Sequence, residues 1–578
     1  MAEILLSPGV LATETDTSFV TAGPVTAGAA IIGPTVKGPV EIPTVVTSYA
    51  QYLQIFGDTF TSGSATNQQQ YAYFTSTAAN NYFANGGTSL LVARVVTGSY
   101  TSATSSNIVS ASGATLPVFV LETFTQGVIA NSSGSESADG SLVNGSANNL
   151  RWEIANSNTS SGTFDLYIRY GNDTTENKSF ALEPQTFSGL SLDPFSDRFV
   201  TKVIGNQKYN LVTTDGYYLQ TTGSYKGVGQ FVRVRSVNIT TPNYFLNDGF
   251  TPNPIFTGSL PINQSGSFGA AVGNIRANAR FYDQISDTDS QGLTTGCYTN
   301  MINLLSNRDS YQYNVILTPG LVDGFSSHTS NVNLIISNAA NRGDNIYILD
   351  LVGYGSTTSA VTTRAQSKNT SYAAAYWPWV QVFDATGQQV WVPASTMMAG
   401  VYAYNDSVSE PWFAPAGINR GGISTVLSAE RMLSATQRDT LYTGKVNPIA
   451  TFPGTPGVVV FGQKTLQTRA SALDRVNVRR LLIAVKSYIS QVANTLVFEQ
   501  NTAATRNNFL AQVNPYLESV QQRQGLFAFK VIMDDTNNTP TVIDQNQMVG
   551  QIYLQPTKTA EFIYLNFNVT PTGATFPA

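Results

Sequence analysis

The chain has 578 residues, enough for about four domains at ~150 residues each. It carries 31 Lys and Arg against 36 Asp and Glu, and this net charge of −5 argues against a protein that binds nucleic acid directly. One cysteine and one histidine exclude an intramolecular disulfide and a zinc site made of several such ligands from one chain.

Charged residues make up only 12% of the chain, against about 25% in ordinary soluble domains. A surface so poor in charge repels its own copies weakly and suits a protein packed against other subunits. The first ten residues lack the basic and apolar segments of a signal peptide, and no apolar run approaches the ~18 residues of a membrane span. We therefore expect that the protein is made in a cytoplasm and does not insert into a membrane.

The first predicted elements mix strands and helices. Residues 29–32 and 45–46 are short apolar runs between Gly-Pro turns and are predicted to be strands. Residues 48–56 and 71–83 have helical spacing, and residues 89–96 (SLLVARVV) form a buried strand.

Residues 97–274 differ in composition and are rich in Ser, Thr, Asn and Gly. Alternating segments at 165–170 and 230–237 predict antiparallel strands, and we predict no helix. This part is expected to be a β-rich insertion.

The part between residues 278 and 456 alternates helix and strand. Helical spacing at 298–306 and 330–341 and strand patterns at 313–317 and 345–352 give a βαβ rhythm. That rhythm predicts parallel strand pairing.

The last part has the clearest periodicity. Apolar residues step by three and four over 473–498 and over 506–522, which predicts two amphipathic helices. Strands are predicted at residues 458–461, 526–533, 551–554 and 561–569.

Candidate catalytic or metal-binding residues are few. His328 lies in a polar stretch (SSHTS), and we expect it to be a surface loop residue because no partnered nucleophile is indicated. Cys297 is expected to be a small, buried residue. Asp283, Asp287 and Asp289 lack the glycine and distal glutamate of an EF-hand, so capping and loop solvation are expected.

Two further patterns have bland explanations. Gly353-Tyr354-Gly355 lacks the third glycine and the strand–helix context of a dinucleotide site. The aromatic residues Tyr376, Trp377, Trp379 and Trp391 could bind a sugar, but a place in the core or a subunit contact is favoured. No Gly-x-Ser-x-Gly elbow accompanies the α/β part, so we predict no enzyme and no cofactor.

Four segments resemble the contractile tail sheath family, which includes myovirus tail sheaths and related injection-system sheaths. The first is Ser7-Pro8-Gly9-Val10, with Glu14 following. The second is AAIIGPTVKGPVEIPTVVTSYAQYLQIFG at 29–57, with NGGTSLLVARV at 85–95. The third spans 392–423 and contains APAGINRG at 414–421, and the fourth spans 478–567. Residues 187–203 are also similar.

Two departures from the family pattern are small. The family often has a tyrosine or a similar residue after Pro-Gly-Val, where this chain has Leu11. A Glu-Pro-Asn-like segment after the long helix is here Glu499-Gln500-Asn501. Neither removes a functional group, because the family's role lies in backbone pairing and packing.

The resemblance implies an α/β and α+β multidomain fold. A sheath core would be built from N- and C-terminal parts of the chain, with an outward-facing β-rich domain inserted and extended terminal arms. The expected boundaries are 1–28 for the arm and hinge, 29–96 for the first core part, 97–274 for the insertion, 278–456 for the α/β domain, 457–565 for the inner C-terminal domain and 566–578 for the C-terminal arm.

The function implied by the resemblance is that of a structural subunit. Its copies would polymerise as stacked rings around an inner tail tube protein and contract to drive that tube through a bacterial envelope for genome delivery. Baseplate and tail terminator proteins would be further partners. The protein would be made and assembled in the host bacterial cytoplasm and would then belong to the virion tail.

In the family, terminal arms donate strands to a neighbour's C-terminal sheet. The residues expected to act in this way are Leu5, Leu6, Val10, Leu11 and Thr13 in the first arm, and Phe562, Tyr564, Leu565, Phe567 and Val569 in the second. Unpaired extended segments are templates for pairing with another chain. Gly23, Pro24 and Gly28 are the expected hinge, because their stretch is small and uncharged.

A basic helix face is the predicted contact with the inner tube. Arg475, Arg479 and Lys486 fall within about 40° of one another at 100° per residue, and Arg469 and Arg480 extend the region. A solvated helix face is the competing explanation. Exposed ion pairs contribute only ~0.2–1 kcal/mol each, which suits a reversible grip.

Three alternatives stay open at this point. The chain could belong to a headless contractile particle of the tailocin or secretion-system type. The β-rich insertion could have an adhesin-like, receptor-binding role. A hydrolase built on the α/β part is disfavoured by the single histidine.

Overall fold

A computed structural model describes residues 25–64, 67–131, 150–170, 185–229, 231–275, 281–454 and 457–564. Over these ranges the chain has a mixed α/β fold with one nine-stranded sheet, one seven-stranded sheet and several small sheets.

The N-terminal part supplies three strands to the large sheet. In chain order its elements are β1 (Val25–Gly33), β2 (Thr44–Val46), α1 (Tyr49–Phe56), β3 (Thr59–Ser64), β4 (Asn67–Ala72), α2 (Phe74–Ala84) and β5 (Leu90–Arg94). The Ser48 side chain accepts a hydrogen bond from the Gln51 amide and so begins α1, whose first amides lack backbone partners. The second predicted helix starts three residues late, because residues 71–72 belong to β4.

Residues 102–269 form a separate layer, here called the β module. Its elements are β6 (Ser102–Ser105), β7 (Phe119–Gln126), β8 (Leu150–Asn158), β9 (Thr163–Tyr170), β10 (Thr186–Ser191), α3 (Val200–Ile204), β11 (Lys208–Val212), β12 (Tyr218–Thr222), β13 (Val232–Val237), α4 (Pro254–Thr257) and β14 (Gln264–Gly269). Seven strands form an antiparallel sheet in the order β10-β9-β8-β14-β6-β7-β13. The predicted absence of helices is wrong for α3 and α4, which are too short to produce helical periodicity.

The α/β part follows. Its elements are α5 (Phe281–Gln284), α6 (Thr299–Leu304), β15 (Tyr311–Val322), α7 (Ser326–Arg342), β16 (Ile346–Asp350), α8 (Thr358–Gln366), β17 (Ala373–Trp377), β18 (Val380–Phe383), β19 (Gln389–Val392), α9 (Ser395–Val408), β20 (Gly422–Ile423), β21 (Val426–Ala429), α10 (Ala435–Thr443), β22 (Asn447–Ala450) and β23 (Val458–Val460). The predicted βαβ unit is confirmed, since β15 and β16 pair in parallel with α7 between them.

The large sheet joins strands from distant parts of the sequence. Its order is β2-β5-β1-β15-β16-β17-β22-β23-β20, and the pairs from β5 through β22 are parallel. Alternate residues of β1 enter different cores, Ala29 and Ile31 on one face, Ala30 and Ile32 on the other. α2 and α9 cover the first face, while α6, α7, α8 and α10 cover the second.

The aromatic residues of the α/β part belong to this core. Tyr376, Trp377 and Trp379 are buried, Trp377 in the second core and the other two in the first, and Trp391 is half-buried against the first core. The Tyr376 and Tyr402 hydroxyl oxygens lie 2.7 Å apart and share a hydrogen bond. A core role is therefore confirmed for these residues, and the sugar-binding alternative has no support.

The C-terminal part packs a helical hairpin against a small sheet. It consists of α11 (Val476–Asn494), α12 (Ala503–Gln522), β24 (Leu526–Ile532), α13 (Pro540–Asp544) and β25 (Gln551–Pro556). The Tyr488 and Tyr516 rings stack between the two long helices with centroids 3.8 Å apart. A separate core lies beneath, with Phe509, Val513 and Leu517 at its centre.

Candidate functional site

The two-stranded sheet of the C-terminal part has one buried and one exposed face. β24 and β25 pair in antiparallel register, with Phe529 opposite Leu554 and Val531 opposite Ile552. These four residues pack on the core of α11 and α12. Because side chains alternate between the two faces of a strand, only one face of this sheet packs on the helices.

Both outer edges of this sheet are open in the part of the chain that the structure describes, since β24 and β25 each pair only with the other. On the exposed face, Phe527 is 77% and Tyr553 is 55% accessible to solvent. A two-stranded hairpin is marginally stable by itself, and open edges are templates for further strands. The geometry offers a place for a strand on each side.

Residues 557–564 leave this sheet as an extended segment, here called the strap. The Thr557 amide donates to the Gly525 carbonyl at 3.1 Å, and the Thr559 hydroxyl accepts from the Gln463 side chain at 2.7 Å. Glu561 then accepts from Arg475 through Nε at 2.7 Å and Nη2 at 2.9 Å. The strap is thereby fastened to the α/β body before the chain continues.

Glu561 is the centre of this fastening, which we call the clamp. Its carboxylate also accepts from the Tyr442 hydroxyl and, at 3.1 Å, from Gln463 Nε2. Burial raises the pKa of Glu561, but these hydrogen bonds, with that of Arg475 foremost, outweigh burial and place the pKa below its usual range. The carboxylate is therefore held ionised at neutral pH.

Beyond the clamp the strap makes few contacts. Phe562 is 67% and Tyr564 is 88% exposed, and Phe562 touches the Tyr442 ring edge-on. The strand predicted at 561–569 is wrong over residues 561–564, which pair with no described strand. Alternating residues form a strand only beside a partner, and none of the described strands lies next to this segment. Leu565, Phe567 and Val569 lie outside the described residues.

The N-terminal arm lies almost entirely outside the described residues. This holds for Leu5, Leu6, Val10, Leu11 and Thr13, and for Gly23 and Pro24 of the expected hinge. Gly28 lies inside β1, where its amide donates to the Ser89 carbonyl at 3.0 Å. A Cβ on Gly28 would stand 2.3 Å from the Tyr82 hydroxyl, so the need for glycine there is one of close packing.

The predicted basic face of α11 is mostly turned inward. Arg480 forms an ion pair with Asp406 at 2.9 Å and lies over the Tyr402 ring, and Arg479 lies 4.0 Å from the centroid of Tyr372. Both arginines are buried. The position of a residue in a helix sets the direction of its side chain but does not show which part of the protein lies there. Here acidic and aromatic residues more than 70 positions away in the chain lie against this side of α11.

The remaining cations of the predicted face are divided. Arg475 is used by the clamp and by Asp474, at 2.9 Å. Arg469 and Lys486 are exposed. The sequence places five basic residues together, and the structure leaves two of them free for an outside partner.

The clamp itself was missed by sequence reasoning. Arg475 was singled out, but as a surface cation, and Tyr442 and Gln463 were not considered. Its partners are separated by 86 to 119 residues, so periodicity could not join them. The one available signal is Glu561, a carboxylate that stands at the start of an apolar, alternating segment.

His328 is buried, so its expected surface position is wrong. It lies in the first turn of α7, where its Nδ1 accepts from the Val322 amide at 2.9 Å and its Nε2 donates to the Ser286 carbonyl at 2.9 Å. The polar stretch is a helix start packed against the preceding loop. Asp287 lies at this helix start and accepts from the Ser326 hydroxyl at 3.1 Å and from the Ser327 amide at 3.4 Å, which agrees with its expected capping role.

Cys297 has the environment of a structural residue. It is half-buried beside the second core, and burial raises the pKa of its thiol to about 12. A thiol in that state is a poor nucleophile at neutral pH. The expected packing role is supported, although Cys297 is half-buried and not fully buried as expected.

In parallel α/β folds, ligands bind at the carboxyl ends of the strands. Here Asp350 caps α9, accepting from the Ser395 amide at 3.1 Å and hydroxyl at 2.6 Å, and burial raises its pKa to about 7. Asp323 is paired with Lys368 at 2.8 Å and with Arg364. Both carboxylates are engaged in structural contacts.

The described residues contain no group of three or more His, Cys, Asp or Glu side chains arranged to hold a metal ion. Within the same residues, each helix is too short or too polar to cross a lipid bilayer.

Comparison with known proteins identifies two domains. Residues 296–466 match the family model of the phage tail sheath protein central domain, and residues 468–570 match that of the phage tail sheath C-terminal domain. The clamp, the strap and both strands of the open sheet fall within these two matches. The two matches also contain the α/β part from α6 onward.

Two curated relatives are tail sheath proteins. That of Vibrio phage KVP40 is 44% identical over 186 residues, and that of Enterobacteria phage T4 is 41% identical over 186 residues. Each match covers 32% of this chain and 28% of the relative, so it spans less than a third of either protein.

A solved structure shares the fold over most of the chain. The sheath tail protein of Listeria innocua superposes with a TM-score of 0.52, covering 93% of this chain and 96% of that one. Sequence identity is only 9%, so this likeness concerns the fold alone.

Proposed function

We propose that this chain, a member of the phage tail sheath family, is the structural subunit of a contractile tail sheath. The observation that carries the proposal is the open sheet of β24 and β25, which has one face fixed on a helical core and two edges that no other described strand occupies. The names of the curated relatives support it. The low content of charged residues agrees with a surface covered by other copies.

The free edges are filled by arms of other copies. Residues 3–13 of one neighbour and residues 562–569 of another add strands beside β24 and β25 and complete a sheet. A contact between two different surfaces does not close on itself and therefore builds a helical assembly. A strand making about six main-chain hydrogen bonds contributes about 3–9 kcal/mol, enough to resist pulling.

Contraction then moves rigid bodies joined by flexible arms. The hinge lies before β1, at Gly23 and Pro24, because Gly28 is packed inside the sheet. The extended sheath is a strained state set during assembly, and contraction relaxes it without a nucleotide. The moving sheath drives an inner tail tube through the bacterial envelope.

Partners outside the sheath follow from this role. Arg469 and Lys486, the exposed members of the predicted basic face, meet acidic residues of the inner tube protein. Baseplate and tail terminator proteins bind the ends of the assembled sheath. The protein is made and assembled in the host bacterial cytoplasm and becomes part of the virion tail.

The experiment is expression of the full chain and negative-stain microscopy. Sheath-like tubes are expected from the native sequence, and deletion of residues 1–17 should abolish tubes and leave a folded monomer, checked by circular dichroism. A variant with residues 1–17 scrambled is the matched control, since it keeps length and charge but loses the apolar pattern, and it should also fail. Native-like tubes from the deletion variant would contradict arm exchange.

A further inference from the structure

A groove of about 590 Å³ lies beside the clamp. Its walls are the loop 414–421, the helix α10 and residues 557–562 of the strap. The loop carries the sequence APAGINRG, the most specific piece of the central sequence block, and arm pairing at β24 and β25 gives it no role. Pairing at the sheet therefore leaves the occupant of this groove to be identified.

The loop 414–421 is rigid at its base. The Gly417 amide donates to the Val460 carbonyl at 2.8 Å, and the Val460 amide donates to the Gly421 carbonyl at 2.8 Å. A Cβ on Gly421 would stand 2.7 Å from the Val460 carbonyl oxygen, which explains a glycine at this position. The loop therefore presents Ile418, 60% exposed, on a fixed support.

The groove is positively charged. Arg420 lies over Phe413 at 5.1 Å and Arg438 over Phe452 at 5.0 Å, and neither forms an ion pair with any described carboxylate. Lys558 adds a third cation, while Asp439 is the one lining carboxylate outside the clamp. Arginines held against aromatic rings and lacking an acidic partner favour an acidic ligand.

The groove also continues the open sheet. Gln524, just before β24, and Thr557, just after β25, both line it. A strand that runs along an edge of this sheet reaches the groove when it passes the end of the hairpin. The occupant is therefore expected to be the continuation of a pairing segment.

We propose that the groove binds residues 14–20 of the N-terminal segment of a second copy. Glu14 and Asp16 pair with Arg420 and Arg438 in the groove, and Phe19 packs outside it against the exposed Ile418. Residues 1–24 contain three carboxylates and no Lys or Arg, whereas residues 565–578 contain no charged side chain. This inference rests on arm exchange and adds a second, charged grip behind the paired strand.

The test uses charge reversal in the full chain. Arg420→Glu/Arg438→Glu and Glu14→Arg/Asp16→Arg are each expected to reduce tube yield at least tenfold, measured by sedimentation and negative-stain microscopy. The chain carrying all four substitutions should recover tubes. Mixing the two double variants should also recover tubes, because each supplies the groove that fits the other's arm. Lys226→Glu/Arg308→Glu reverses two exposed cations elsewhere and should assemble normally.

The outcomes separate the groove from the sheath function. If native chains form no tubes, the proposed function fails. If native chains and the Arg420→Glu/Arg438→Glu variant form tubes equally, or if the fourfold variant stays unassembled, the groove proposal is overturned. Recovery in the fourfold variant without recovery on mixing places the contact within one chain and overturns the second copy as occupant. Arg420→Gln/Arg438→Gln, which removes charge without adding any, should give an intermediate yield.

Discussion

The imidazole of His328 is held neutral by its two hydrogen bonds. A backbone amide can only donate, so Nδ1 must accept from Val322, and the proton therefore sits on Nε2 and faces the Ser286 carbonyl. Burial lowers the pKa of His328, and the Ser286 carbonyl and the Asp287 carboxylate offset this only in part. Protonation would place a charge against the Val322 amide.

This geometry predicts a pH-dependent loss of stability. The unfolded chain takes up a proton near pH 6.5 while the folded chain resists, so stability from this site is full above pH ~6.5 and falls as pH decreases. His328→Gln can accept from Val322 and donate to Ser286, so its melting temperature should change less between pH 7.5 and 5.5. His328→Leu should be less stable than the native chain by about 1–3 kcal/mol at pH 7.5, because both backbone groups stay buried without a partner, and this difference should shrink at pH 5.5.

Thermal unfolding followed by circular dichroism at several pH values checks this. The comparison of native chain and His328→Gln removes the contribution of the carboxylates, which titrate equally in both. Parallel curves for the two proteins would show that His328 does not titrate on unfolding.

At the scale of single residues, type and spacing predicted chemistry poorly because the partners are distant in sequence. Arg479 and Arg480 were expected to be exposed, but Tyr372 and Tyr402 lie across from them. Nothing near Arg480 in the sequence indicates Asp406. By contrast, the spacing of residues 48–56 predicts a helix, and the structure has one that begins one residue later, with Ser48 as its cap, because both the spacing and the cap are local features.

At the scale of elements, periodicity was a better guide. The sequence predicts α11 and β5 because the apolar residues of each lie within one continuous segment, so the packing partner need not be known. The segment 561–564 has the same alternation but forms no strand, because a ladder requires a second chain segment. The sequence alone cannot state whether that segment comes from the same copy.

The strap depends on the clamp at Glu561. Glu561→Gln removes the charge that holds Arg475 and should weaken the clamp by about 1.5–3 kcal/mol, the usual range for hydrogen bonds to charged groups. Few other contacts hold residues 557–564, so we expect faster amide hydrogen exchange there and little change in α11. Exchange measured by mass spectrometry checks this, with Glu499→Gln, an exposed glutamate, as the control.

Acid should reproduce the substitution. The pKa of Glu561 is lower in the folded state than in the unfolded one, so its contribution is present at neutral pH and is lost as pH falls through that lowered value. Equal strap exchange in the native chain and in Glu561→Gln would show that other contacts hold this segment.

At the scale of the whole molecule, one sheet is built from two separated parts of the sequence. β1 pairs with β5 on one side and with β15 on the other, although the β module of residues 102–269 intervenes in the chain before β15. The texture change near residue 97 indicated an insertion, but the join could not be read from the sequence. It consists of strand pairing between residues as distant in the chain as Ile31 and Leu317.

The two ends of the β module, where the chain enters and leaves it, lie next to each other. The Thr101 amide donates to the Val272 carbonyl at 3.0 Å, and the Val272 amide donates to the Thr101 hydroxyl at 2.8 Å. The module also has a core of its own, around Trp152 and Phe164. Excision of residues 102–271, with Asn-Gly as a tight turn in their place, should therefore leave the rest of the chain folded.

The excised chain should melt a few degrees lower than the native protein. It loses the bonds that Gln126 forms with residues 38–40 and the cover that Leu211 and Leu219 give to the second core. Tube formation should persist, because the open sheet, the strap and the groove all lie outside the excised residues. Circular dichroism and negative-stain microscopy check both points. An insoluble product would show that module and body fold as one unit, while a folded chain without tubes would place an assembly contact on the module.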